Sequence, residues 1–236
     1  MCGYIEVSGE HQQSFMQFSK QKIVKQFYST SFKRYYPAFG QDPNKTIDIV
    51  IEENGVLKQV AATWWFDCSD SFEGLHVGTR TTFNARNLDS SYWQGALQYN
   101  RAIILGTGFG ESKVVGKTKH QYYMQSDDVF VLGALYRKFS NDRYSCAVIT
   151  RDAHPKMEPY HHKAFPCFLP NDDQFLQRWL SQSVQQHPEI NKELNFPTLY
   201  PTLKVQRVKT YKDKVPYQSF SPVILHSDLL VIQSSG

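Results

Sequence analysis

The chain has 236 residues, 41% of them hydrophobic and 14% aromatic, enough to bury a real core and a length that fits one large domain better than two small ones. Its 26 basic and 22 acidic residues leave a formal +4, which is compatible with a local groove for a polyanion and does not demand one. Nothing approaches eighteen consecutive apolar residues and the N-terminus lacks a basic stretch followed by an apolar run, so neither a membrane span nor a secretory signal is expected. The expected location is cytoplasmic.

Residues 9–28 place Met16, Ile23, Val24 and Phe27 at helical spacing with lysines between them, the pattern of an amphipathic helix. Residues 47–66 give two β-rich runs around Asn54-Gly55, which predicts a hairpin. Further strands are expected at 101–105, 129–136 and 144–150. At 170–181, Asn171 as N-cap with Gln174 three residues on marks a helix start. Residues 217–236 read as an added strand or a tail. Strands outnumber helices and do not alternate with them, so the fold class is α+β or mostly β with peripheral helices.

The four cysteines, at 2, 68, 146 and 167, show neither a Cys-x-x-Cys pair nor zinc-ligand spacing, so reduced thiols are expected and no metal site. Cys2 stands apart. Once Met1 is removed, as is usual before a small residue, it exposes an α-amine (pKa about 7.7–8.0) and a thiol (about 8.5) on one residue. An aldehyde meeting that pair forms an imine, which the thiol closes to a thiazolidine. By position alone Cys2 reads first as a terminal residue with no role.

The run "MCG" at the start, "RYYPAFGQ" at 34–41, "NAR" at 84–86, "RAIILGTGFGES" at 101–112 and "AVITRDAHPKMEPYHHKAFPCFLP" at 147–170 resembles, in that order, the SOS response-associated peptidase family. With the "RWL" helix that follows, the resemblance covers about residues 2–210 of a single domain spanning 1–236, with 211–236 as a C-terminal extension. It implies a mostly antiparallel β fold with a barrel-like sheet core and peripheral helices. It also implies covalent capture of abasic sites in single-stranded DNA, in the DNA damage response, by a monomer needing no cofactor. The family's catalytic positions fall on Cys2 as nucleophile, Asn84, Glu111 and a histidine. Counting forward from "TRDA" gives His161, and counting back from Pro166 gives His162; His161 is the preferred match.

The resemblance also suggests DNA contacts: Arg86 and Lys163 for phosphate, Arg34 as a third cation, and Trp64 and Trp65 for base stacking. The chain departs from the family pattern in having Tyr4-Ile5 where Arg-Phe is common, Ser112 for a tryptophan, Thr107 for an aspartate, and Lys163-Ala164-Phe165-Pro166 for Arg-Met-Pro. Two other functions fit the same residues. One is a cysteine peptidase or amidase with Cys2 as an N-terminal nucleophile. The other is a single-stranded DNA binder without catalysis.

Overall fold

The computed structural model describes residues 3–8, 21–29 and 31–229. The chain begins with β1 (Ile5–Val7), α1 (Lys22–Phe27) and β2 (Lys33–Tyr35). The hairpin of β3 (Thr46–Glu53) and β4 (Val56–Thr63) comes next, then the small hairpin of β5 (Cys68–Asp70) and β6 (Leu75–Val77). β7 (Asn84–Ala85) and α2 (Ser91–Tyr99) lead into the two longest strands, β8 (Arg101–Val115) and β9 (Thr118–Lys138), and then into β10 (Tyr144–Arg151). The last part holds β11 (Phe165–Pro166), β12 (Phe168–Leu169), α3 (Asp173–Leu180), α4 (Pro188–Asn195), β13 (Leu203–Val208) and β14 (Val223–Leu225).

Twelve of these strands join one sheet, and β5 and β6 form a second, two-stranded one. The α+β class agrees with the sequence. The mostly antiparallel, barrel-like core holds only in part: most pairings are antiparallel, but the large sheet is mixed, because β10 runs parallel to both β4 and β7. Those two parallel contacts are short and arise where separate chain segments meet, so no local sequence pattern announces them.

The β3–β4 hairpin forms where Asn54 and Gly55 both take positive φ (53° and 76°), the geometry a two-residue turn requires. The strands expected at 101–105 and 129–136 are cores of the much longer β8 and β9, which pair from Arg101 to Val115 with one irregularity between Gly106 and Gly108. Of the helix expected at 9–28, only 21–28 lies within the described residues. There Ile23 and Val24 are buried, and the backbone amides of Lys22 and Ile23 are capped by the Asp173 carboxylate of α3 (2.8 and 3.0 Å). α3 itself is capped by Asp172, which accepts from Phe175 N at 2.8 Å, and not by Asn171. α2 has no counterpart among the expected elements.

Arg101, fully buried at the start of β8, joins sheet to helices. It donates to the carbonyls of Trp179 (2.6 Å), Leu97 (2.7 Å), Gln98 (3.0 Å), Ser181 (3.0 Å) and Val184. Its guanidinium thus supplies the donors that carbonyls at the C-terminal ends of α2 and α3 lack.

Candidate active site

β1 lies between β2 and β8 in the sheet, antiparallel to both, with Ile5 opposite Phe109 and Glu6 opposite Gly108. Gly110 N donates to Tyr4 O at 3.0 Å, one residue nearer the start of the chain than the register's Ile5–Phe109 pair and next to Glu111 on β8. Cys2 itself lies outside the described residues. The Gly-x-Gly pattern in β8 has a packing cause. A Cβ at Gly110 would sit 2.8 Å from the Tyr211 ring, and one at Gly108 would collide with the Tyr123 hydroxyl. Phe109 and Glu111 alternate to the opposite face and are buried there, Glu111 at 1% exposure.

His161 sits in the loop between β10 and β11, 5% exposed, its backbone amide bonded to Met157 O at 2.8 Å. Its Nδ1 is 2.8 Å from the Ser112 carbonyl and 3.4 Å from Glu111 Oε2. A carbonyl only accepts, so the proton resides on Nδ1 and Nε2 is the acceptor nitrogen of the neutral ring. Burial pushes the His161 pKa below the ordinary imidazole value; the Glu111 charge and the Ser112 carbonyl oppose that shift without overcoming it. Lys113 ties the same loop to β8, bonding Glu158 O at 2.7 Å and the Glu158 carboxylate at 2.9 Å. His162, the alternative match, is exposed, its ring centroid 6.4 Å from that of His161.

Asn84 arrives from another direction. It is on β7, paired in parallel with Val148 of β10, the strand that leads into the His161 loop. Arg86 follows it, half exposed, with Asp152 of that loop 3.8 Å away. Lys163 is exposed. Arg34 on β2 is already engaged, 3.6 Å from Glu6 and 4.8 Å from the Phe32 ring centroid.

The tryptophans do not present stacking faces. Trp64 is wholly buried and donates Nε1–H to Phe83 O at 2.9 Å. Trp65 is buried too, donating to Gly78 O at 3.1 Å and stacked on Phe83 at 5.7 Å. Two consecutive residues so close to the end of β4 are both drawn inward, and their indole N–H groups find carbonyl partners there. The exposed ring of this cluster is Phe39, 51% exposed, packed edge-on against Trp65 (5.6 Å) and Phe83 (5.0 Å). Phe39 lies in "YYPAFG", and nothing in its spacing distinguishes it from a core aromatic.

A second group missed by sequence reading surrounds Glu6, 1% exposed. Tyr4 and Tyr123 donate their hydroxyls to it at 2.5 and 2.8 Å, and Lys214 Nζ lies 2.5 Å from Oε2. An acid within "YIEV" is the one available signal, since a charge inside an apolar strand must be paired when buried. The thiols of Cys68, Cys146 and Cys167 are all buried, and burial pushes them up, Cys68 to about 11 and Cys167 to about 12. Among the described residues no cluster of His, Cys, Asp and Glu could hold a metal, and no helix is long and apolar enough to cross a membrane.

Known proteins resemble this chain both in sequence and in fold. The abasic site processing protein YMR114C of Saccharomyces cerevisiae is 32% identical over 108 residues; the match covers 43% of this chain and only 29% of the yeast protein. The fold resembles the crystal structure of a protein from Bacteroides thetaiotaomicron, with a TM-score of 0.62 at 17% identity, covering 89% of this chain and 93% of that one. A phage-related protein of Bordetella bronchiseptica is similar too, with a TM-score of 0.56 at 13% identity, covering 92% and 100% of the two chains. A family model describing the SOS response associated peptidase (SRAP) matches residues 1–215. The chain belongs to the SOS response associated peptidase family.

Proposed function

We propose that this protein captures abasic sites in single-stranded DNA covalently, through a thiazolidine on Cys2 after Met1 is removed. Abasic site processing is the activity in the yeast relative's name, and family membership supports carrying it to this chain. The observation that carries the reading is the buried Glu111–His161 pair, with Nδ1 and Oε2 3.4 Å apart, at the end of the strand register that leads to the chain's first residues.

The chemistry needs that pair. An abasic deoxyribose is mostly a closed hemiacetal, and opening it requires a proton for the ring oxygen and an acceptor for the anomeric hydroxyl proton. The Cys2 amine then adds to the aldehyde carbon, and the carbinolamine loses its hydroxyl as water to give the imine. The thiol sulfur adds to the imine carbon, closing the ring as its proton passes to nitrogen. One water leaves overall, and no oxidant or reductant is consumed. Glu111 and His161 take up and return the protons that move in opening and dehydration, and Asn84 orients the amine or a sugar hydroxyl without adding charge. Arg86 and Lys163 neutralise flanking phosphates, and Phe39 offers a base the ring face that the two tryptophans do not.

The direct test is denaturing gel electrophoresis of the protein, with its native N-terminus, after incubation with an abasic-site oligonucleotide. A band that survives heat and denaturant, present with the lesion and lacking with the intact strand, is expected. One residue added before Cys2 turns the amine into an amide and should abolish the band. Its persistence would falsify the thiazolidine route. Turnover of a peptide substrate without DNA would favour the peptidase reading instead.

A further inference from the structure

We infer that the C-terminal segment 209–229 is a strap that positions the reactive parts of the site, with Lys214 and Asp228 as its two positioning residues. The inference rests on the proposed function, since what is positioned is the nucleophile's strand and the histidine's loop.

The first clamp is on β1. After β13 the chain turns back, with Lys209 N bonded to Val215 O (2.9 Å) and Tyr217 N to Arg207 O (3.1 Å), and it folds across the beginning of β1. Lys214 Nζ meets both oxygens of Glu6, at 2.6 Å for Oε1 and 2.5 Å for Oε2. Tyr211 stacks on Tyr4 with centroids 5.7 Å apart and planes at 14°, and it covers Gly110 so closely that no side chain could stand there. Tyr4, Tyr123 and Val208 form a small apolar cluster of their own, with Tyr211 packed against it. β1 is only three residues long, pairing with β2 at three positions and with β8 at two, so its backbone ladder is short on both sides. A buried carboxylate on such a strand, bonded by a cation from a segment about 200 residues later, fixes its register.

The second clamp is on the loop that carries His161. Asp228 accepts from Leu199 N (2.7 Å), meets Lys156 Nζ (2.7 Å) and lies 3.0 Å from His154 Nε2. Lys156 Nζ also bonds His226 O at 2.7 Å. His154 caps the turn at Pro155–Met157, Lys156 lies within it, and Met157 O holds the His161 amide. One short segment therefore fixes the two chain stretches whose relative placement sets how the amine approaches the Glu111–His161 pair. Misplacement by about 1 Å of aligned reacting groups is enough to cost a large factor in rate.

The test uses the full chain with its native N-terminus and compares wild type, Lys214→Met, Lys214→Arg, Asp228→Asn and the Lys214→Met/Asp228→Asn pair. Three quantities are read: the crosslinking rate constant at saturating abasic oligonucleotide, the affinity for the same strand without the lesion, and hydrogen exchange of the amides in 3–8. Lys214→Met should slow crosslinking at saturation by about tenfold, leave the affinity for intact strand unchanged, and raise exchange in 3–8. Lys214→Arg should restore both. Asp228→Asn should slow crosslinking without raising exchange in 3–8, and the two losses should multiply in the double variant because they act on separate elements. Unchanged rates in folded variants overturn the inference, and so does a Lys214→Met loss that lies wholly in DNA affinity. If wild type itself forms no adduct, the crosslinking reading fails, while the exchange comparison still decides whether Lys214 holds β1.

Discussion

His161 presents an acceptor nitrogen because Ser112 O claims the proton on Nδ1, and burial keeps the ring neutral where an exposed imidazole would begin to charge. The sign of the pH effect follows. In the unfolded chain the ring titrates near 6.5, and in the folded protein below that, so folding stability is complete above about 6.5 and falls as pH drops toward the lowered folded value. His161→Gln should flatten that part of the acid unfolding curve, measured by urea midpoints at a series of pH values. At Glu111, replacement by Gln keeps the shape and removes the ionisable carboxyl group. Crosslinking should slow by about 100-fold or more while affinity for intact single strand is retained. Parallel loss of both would make Glu111 a packing residue. The sequence leads to Glu111 and His161 through an ordered set of short motifs. It is silent on the role of Glu6, whose partner Lys214 is 208 positions away.

At the scale of elements, β8 bears the most constraint. A Cβ at Gly108 would collide with the Tyr123 hydroxyl that donates to Glu6, so Gly108→Ala should cost about 1–3 kcal/mol in denaturant unfolding by displacing that ring. Arg101→Leu at the other end of the strand leaves buried carbonyls at the ends of α2 and α3 without donors, and a loss of about 3 kcal/mol or more is expected in the same measurement. The β3–β4 hairpin is legible in the sequence because Asn54-Gly55 encodes its turn locally. α2 is not: "SYWQGALQY" holds a glycine and three aromatics, poor helix formers, and its helix is secured by burying Trp93 and Ala96 and by a Ser90 cap. Trp64 and Trp65 depart from expectation for a related reason, since a one-dimensional pattern cannot tell a ring facing a groove from one facing the sheet interior.

For the molecule as a whole, affinity for DNA should be largely electrostatic and reported by salt. Arg86→Met and Lys163→Met should each lower the slope of log affinity against log salt by about 0.7 for a single strand, and Arg34→Met by less, because Glu6 already offsets its charge. A titration of intact oligonucleotide at several salt concentrations separates the three. The mixed sheet matters here because β7, which opens the Asn84–Arg86 corner, pairs in parallel with β10, the strand that runs into the His161 loop, a long-range arrangement that only the folded topology creates. Its interior sulfhydryls have a practical corollary. Cys68, Cys146 and Cys167 are sealed from solvent and held far from thiolate, so a maleimide added to native protein at neutral pH should consume no more than one equivalent, rising to four on unfolding. Electrophilic labelling of the intact molecule therefore becomes a direct gauge of its leading end, and a substoichiometric count would reveal how much of a preparation has already been blocked there.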